Sequence, residues 1–111
     1  MTQNRSLADI CNVAYAMNIV GGKWKISIIW ELAGGQLRLS ALRRKLIGIA
    51  EGVLITQLKQ LEKDKLIKRI VYKEVPPHVE YQLTEEGHLL VSSIKKLEQW
   101  GDKYRKQRTK V

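Results

Sequence analysis

Leu54, Leu58 and Leu61 restrict what this chain can become more than any other residues in it. Their spacing of i, i+4 and i+7 draws a single apolar stripe along a helix within residues 48–63. The opposite side carries Glu51, Ile55, Thr56, Lys59 and Lys63, a mixed surface rather than a plain charged one. A helix with one such stripe has to be covered by its neighbours, and these are patterned too. Ahead of it, Leu39, Leu42 and Leu46 repeat at helical spacing beside Arg43, Arg44 and Lys45, leaving only Ile47-Gly48-Ile49 for a turn. Behind it, Val79, Tyr81 and Leu83 alternate with Glu80 and Gln82, the period of a strand with one covered face. Residues 70–75 are rich in β-branched and aromatic types and supply the partner strand; Pro76-Pro77 stops the ladder between them. Helix, short turn, helix and hairpin in this order predict a winged helix-turn-helix, an α+β fold that is mainly α, with a two-stranded β wing.

The flanking segments extend that plan. Ile10, Val13, Ala14 and Met17 fall on one face of a first helix running from Leu7 to about Val20, with Cys11 half buried beside the stripe. Gly21-Gly22 ends it, and a second helix covers residues 25–33, with Ile26, Ile29, Trp30 and Ala33 inward, before Gly34-Gly35. Leu37-Arg38 forms a short strand and Ser40 caps the helix after it. Thr84 caps the last helix, where Glu85 and Glu86 suit the positive helix end. That helix carries Leu90, Ile94, Leu97, Gly101 and Tyr104 at heptad spacing, a seam too short to stand alone. The seam packs either on its own domain or on a second copy, and a domain this small has little core left to receive it. The helix is therefore read as an extra C-terminal dimerisation helix, with Leu90, Ile94, Leu97, Trp100 and Gly101 at the interface. The domain is placed at residues 7–101 and a basic C-terminal tail at residues 102–111.

Charge narrows the class of partner. The net charge of +9 is unevenly spread: residues 38–73 hold ten Lys or Arg against three acids, whereas residues 74–101 are at −3. A basic block that coincides with a helix-turn-helix is the footprint of a polyanion, nucleic acid foremost. Lys23, Lys25 and Glu31 interrupt the one apolar run worth considering, so no bilayer span is expected. The first residues lack the succession of a signal peptide, and one cysteine allows no intrachain disulfide, so the cytoplasm is the expected compartment. Catalysis is not expected, because His78, His88 and Cys11 form no nucleophile–base set, and there is no phosphate loop. No metal-ligand spacing and no cofactor motif is present either. Trp24, Trp30 and Trp100 are read as anchors of the core or of a dimer interface.

Several short motifs then fall in one order without gaps. Gly21-Gly22-Lys23-Trp24 stands before an apolar helix; Leu42-Arg43-Arg44 and Gly48-Ile49 lead to Leu54, Leu58 and Leu61-Glu62. Tyr72 to Val75-Pro76-Pro77 is followed by Val79-Glu80-Tyr81 and Thr84, and Trp100-Gly101 comes last. Together they resemble the HxlR-type bacterial transcription regulators, relatives of the MarR group, over residues 11–101. The resemblance implies a homodimeric, sequence-specific DNA-binding regulator, most often a repressor. Ala50 stands where that family usually has Ser or Thr, Gly52 where Lys is common, Ile55 where Thr is frequent, and Lys65 where Gly follows the helix. These departures bear on which operator is read, not on how the helix docks.

On this reading the recognition helix offers Glu51, Gly52, Ile55, Thr56, Lys59 and Lys63 to the major groove. Thr56 hydrogen-bonds base edges, Ile55 packs on a thymine methyl and Glu51 accepts from cytosine N4. Arg38, Arg43 and Arg44, with Lys59 and Lys63, clamp phosphates, while Lys73 and His78 on the wing reach the flanking backbone or minor groove. The partner is double-stranded DNA with a near-palindromic operator, because two symmetry-related helices meet half-sites about one helical turn apart. Cys11 lies ten residues before Gly21, the spacing at which this family often carries a cysteine that senses oxidants or electrophiles. A small buried hydrophobe is the equal alternative for it. A small-molecule effector leaves no mark in the sequence. The competing function is a winged-helix protein-interaction module without specific DNA binding, which the basic block argues against.

Overall fold

The computed structural model describes residues 11–109. In chain order the elements are α1 (Asn12–Val20), α2 (Lys25–Leu32), β1 (Leu37–Arg38), α3 (Leu39–Lys45), α4 (Glu51–Lys63), β2 (Ile67–Tyr72), β3 (His78–Leu83) and α5 (Glu85–Thr109). The strands form one antiparallel sheet in the order β1-β3-β2. At the centre lies α2, which touches α3, α4, α5 and β3. Its inner face is Ile28, Ile29 and Leu32; Ile26, Trp30 and Ala33, expected inward, sit partly covered at the rim. Around it close Leu42, Leu46, Ile49, the three α4 leucines, Ile67, Leu83 and Ile94.

The helix-turn-helix is built as the spacing predicts, with one shift at its start. Arg38, extended at the end of β1, is the N-cap of α3, so Ser40 falls inside the first turn and caps nothing. The turn to α4 uses Gly48 at φ +91, a conformation that costs glycine nothing. Ile49 then plugs the core and Ala50 occupies the N-cap with no side-chain hydrogen bond, as its missing hydroxyl dictates. Leu54, Leu58 and Leu61 are each at most 1% exposed, and burying a leucine contributes about 1.5–3 kcal/mol relative to leaving it in water.

A Schellman motif ends α4. Leu66 N–H reaches the Leu61 carbonyl and Lys65 N–H the Glu62 carbonyl, both at 3.0 Å, with Lys65 at φ +63. This left-handed step sends Leu66-Ile67 straight into the sheet, where Ile67 faces Leu83. The partner strand therefore starts at Ile67 and ends at Tyr72, three residues ahead of the expected 70–75. Lys73 to Pro77 form the wing tip, with Val75 in open solvent. The expected contrast between two faces of β3 is weak, because a central strand half covers Glu80 and Gln82 as well as Val79 and Tyr81.

Thr84 joins three elements. Its hydroxyl donates to the Lys65 carbonyl (2.7 Å) and accepts from Gly87 N–H (3.2 Å), which caps α5, while its own amide donates to the Leu66 carbonyl (3.0 Å). Gly87 is buried there, and a Cβ on it would lie 2.3 Å from the Leu66 carbonyl oxygen.

Both outer helices depart from expectation. Residues 102–109, expected as a tail, continue α5 to Thr109: nothing breaks the helix after Gly101, and Asp102 pairs with Lys106 at 3.2 Å along it. The heptad seam divides. Ile94 is buried and Leu90 half buried in their own domain, so they are core residues of the single chain, whereas Leu97, Trp100 and Tyr104 stay exposed. Leu7 and Ile10, at the expected start of the first helix, lie outside the described residues. Beyond them Val13, Ala14 and Met17 are exposed on α1, and its contribution to the core is Val20, with Ile19 beside it.

Candidate nucleic-acid interface

At about 100° per residue, the side of α4 opposite its leucines carries Gly52, Thr56, Lys59 and Lys63, all exposed. Glu51 and Ile55 lie on the flanks of that arc, Glu51 exposed and Ile55 half buried, so Ile55 offers an edge rather than a full methyl surface. Gln60 and Val53 are exposed on the same arc and were not singled out from sequence. The signal for Gln60 was present, since it stands four residues after Thr56, and its amide both donates and accepts, the pairing suited to adenine. The Thr56 hydroxyl donates to the Gly52 carbonyl at 3.0 Å, so it must turn off its own helix to donate to a base while its lone pairs remain free to accept.

Facing this end of α4 is the last turn of α3, with Arg43, Arg44 and Lys45 exposed. Leu39, Ser40, Arg43, Arg44 and Glu51 line a concavity of about 390 Å³ between the two helices. Across it Arg43 Nη1 donates to Glu51 Oε1 at 3.0 Å, each side chain about half exposed. Two residues read separately from sequence, as a phosphate clamp and a base reader, thus form one ion pair. Arg38 is exposed on β1, with Glu80 as its cross-strand neighbour.

The wing divides its expected contacts. Lys73 is exposed at the tip. His78 is not; its side chain is 14% exposed, stacked on Tyr72 at 4.6 Å, with Nε2 3.0 Å from Glu80 Oε2. The Gln36 amide donates to the Tyr72 hydroxyl at 2.6 Å and to Glu80 at 2.5 Å. His78 therefore braces the hairpin to the segment before β1 rather than reaching outward, and Gln36 and Glu80, unmarked in sequence, complete the brace. Lys68 and Arg69, counted in the basic block but not singled out, stand exposed along the edge strand β2.

Cys11, expected half buried, is exposed at the N-cap of α1. The backbone amides of Ala14, then Val13, favour its thiolate and hold the thiol below its ordinary range, although no side-chain hydrogen bond formally caps the helix. Among the described residues no cluster of His, Cys, Asp or Glu is arranged to hold a metal, and no helix is long and apolar enough to cross a membrane. Gly101 is half covered on α5, and Trp100 beside it is 61% exposed and stacked on Tyr104.

Known proteins share this arrangement. The sequence profile of the HxlR-like helix-turn-helix family matches residues 19–109. The HTH-type transcriptional regulator YdeP of Bacillus subtilis (strain 168), itself uncharacterized, is 42% identical over 95 residues, which span 86% of this chain and 74% of YdeP. The redox regulator HypR in its reduced form superposes with a TM-score of 0.81 at 36% identity, over 86% of this chain and 94% of HypR. Its oxidized form gives 0.80 at 36% identity, over 84% and 96%. Fold and kinship agree: the chain belongs to the HxlR-like helix-turn-helix family of DNA-binding transcription regulators.

Proposed function

We propose that this regulator binds a near-palindromic operator as a homodimer in the cytoplasm and represses by occluding a promoter, with Cys11 as its redox- or electrophile-sensitive group. The observation that carries the DNA-binding part is α4, three buried leucines behind an exposed face of Gly52, Thr56, Lys59, Gln60 and Lys63. The helix is held on the core and offered to a groove at once. Support for the homodimer comes from the apolar residues that the single chain leaves in water: Val13 and Met17 on α1, Leu97, Trp100 and Tyr104 on α5. A second copy would cover them and set two recognition helices about one turn of DNA apart.

The switch has support in the exposed, acid-shifted Cys11 and in the likeness to a protein named as a redox regulator in both its forms. With one cysteine per chain, oxidation by diamide would join two Cys11 sulfurs across subunits. Two thiolates give up two electrons, and diamide takes them with two protons to become the hydrazine. A quinone would instead add to one thiolate.

Footprinting on the promoter beside its own gene, with light scattering on the same sample, tests the reading. Protection of a two-fold site by a dimer is expected. Weak binding indifferent to sequence at physiological salt would refute the operator. Diamide is expected to release DNA from the wild type and not from Cys11→Ser, and equal release from both would refute the switch.

A further inference from the structure

We propose that Glu51 is a positioning residue for base reading: it fixes the guanidinium of Arg43 so that Arg43, rather than Glu51, reads a guanine in each half-site. This rests on the assignment of α4 as the recognition helix. The pair bridges the helix-turn-helix, from the last turn of α3 to the first turn of α4, the end at which recognition helices meet base edges. One guanidinium nitrogen meets one carboxylate oxygen at 3.0 Å. A guanidinium has five N–H donors, so a second edge stays free, and its fork matches O6 and N7 of guanine.

Electrostatics separates this role from that of a phosphate clamp. A carboxylate 3.0 Å away neutralises Arg43 and repels phosphate oxygens, so the pair as a unit releases little counterion. Arg44 and Lys45, exposed beside it and in no ion pair among the described residues, are better suited to clamping. Nor does the fold account for the contact, because exposed ion pairs contribute little to stability. What the carboxylate does supply is pre-organisation. A long, freely rotating side chain is held over the concavity between α3 and α4 before DNA arrives.

The test selects binding sites from a randomised double-stranded oligonucleotide library with wild type, Glu51→Gln and Arg43→Ala, and measures affinity against salt for the selected and mixed-sequence duplexes. Both side chains are exposed, and matching thermal midpoints confirm that the variants fold. The wild type is expected to enrich a guanine at one position per half-site. Arg43→Ala should lose that preference alone, with discrimination there falling roughly ten- to a hundred-fold. Glu51→Gln should relax the same position, bind mixed DNA more tightly and steepen the salt dependence by about one ion per protomer as Arg43 is freed for phosphate. Three results would overturn the idea: equal loss on both duplexes in Arg43→Ala with a flatter salt slope, an unchanged selection in Glu51→Gln, or a change in Glu51→Gln at a different base pair. A wild type without any preferred sequence would overturn the DNA-reading role of α4 as well, whereas the three results above leave it intact.

Discussion

Replacing Gly87 with alanine tests how tightly α5 is seated against the end of the recognition helix. Propensity alone argues for the change, because alanine is better than glycine inside a helix by about 1 kcal/mol. The site argues against it. The new Cβ would stand 2.3 Å from the Leu66 carbonyl oxygen and 3.1 Å from Leu83 Cδ2. Side-chain carbons essentially never come within 3.0 Å of such an atom, so α5 has to retreat by roughly 0.7 Å. That retreat stretches the Thr84 amide bond to Leu66 and the Thr84 hydroxyl bond to Lys65, now 3.0 and 2.7 Å. Each is worth about 1 kcal/mol, and overpacking strain adds about 1–3 kcal/mol. With the propensity gain offset, the net loss is about 2–4 kcal/mol, a fall in thermal midpoint of roughly 8–16 °C for a domain of this size. Gly52→Ala is the control: the same change on α4, with nothing within 4 Å of the new carbon, should gain about 0.5–1 kcal/mol. Circular dichroism melts and urea titrations at one protein concentration read both, since the proposed homodimer would make the midpoint depend on concentration. A midpoint for Gly87→Ala equal to or above wild type would refute the close seating.

Lys65→Gly should stabilise the protein by about 0.5–1 kcal/mol in urea titrations, because it removes a side chain from φ +63 at some cost in unfolded-state entropy. Trp100→Glu should leave the helical content intact yet turn the proposed dimer monomeric by light scattering, since Trp100 is 61% exposed in the single chain; a persisting dimer would place the interface elsewhere. For Cys11 the amides of Ala14 and Val13 lower the folded-state pKa, so thiolate persists to lower pH than in a free thiol. Any stability this adds is present above the unfolded-state pKa and disappears as pH falls through the folded one. Alkylation by iodoacetamide should therefore inflect at a lower pH than in urea-unfolded protein, and coincident curves would count against the shift.

How much of this was legible in the sequence depends on the distance over which each contact acts. The α4 stripe was legible because one helix sorts its own residues, and Leu54, Leu58 and Leu61 are buried as their spacing requires. The wing register slipped because an apolar pair such as Leu66-Ile67 shows no strand period of its own, while the left-handed Lys65 turns it directly into β2. The Arg43–Glu51 pair spans a turn, and periodicity within either helix says nothing of it. His78 reads from sequence as a wing residue reaching outward because strand periodicity does not show that Tyr72 stacks on it from across the ladder or that Glu80, two residues on, holds its ring. Val13 and Met17 obey helical spacing and still lie in water, since an apolar stripe states that something must cover it without stating what.

The junction at Thr84 makes α5 a lever. One residue ties the carbonyl after α4 to the first turn of a helix of 25 residues, about 37 Å long. A tilt of 5° about that fulcrum moves the far end of α5 by about 3 Å, and the converse holds as well. Whatever grips Leu97, Trp100 and Tyr104 at the outer arm applies torque to the short arm, where the recognition helix ends. In the proposed dimer, the spacing of the two recognition helices would then depend less on α4 itself than on the stiffness of a threonine hydroxyl shared between two backbones.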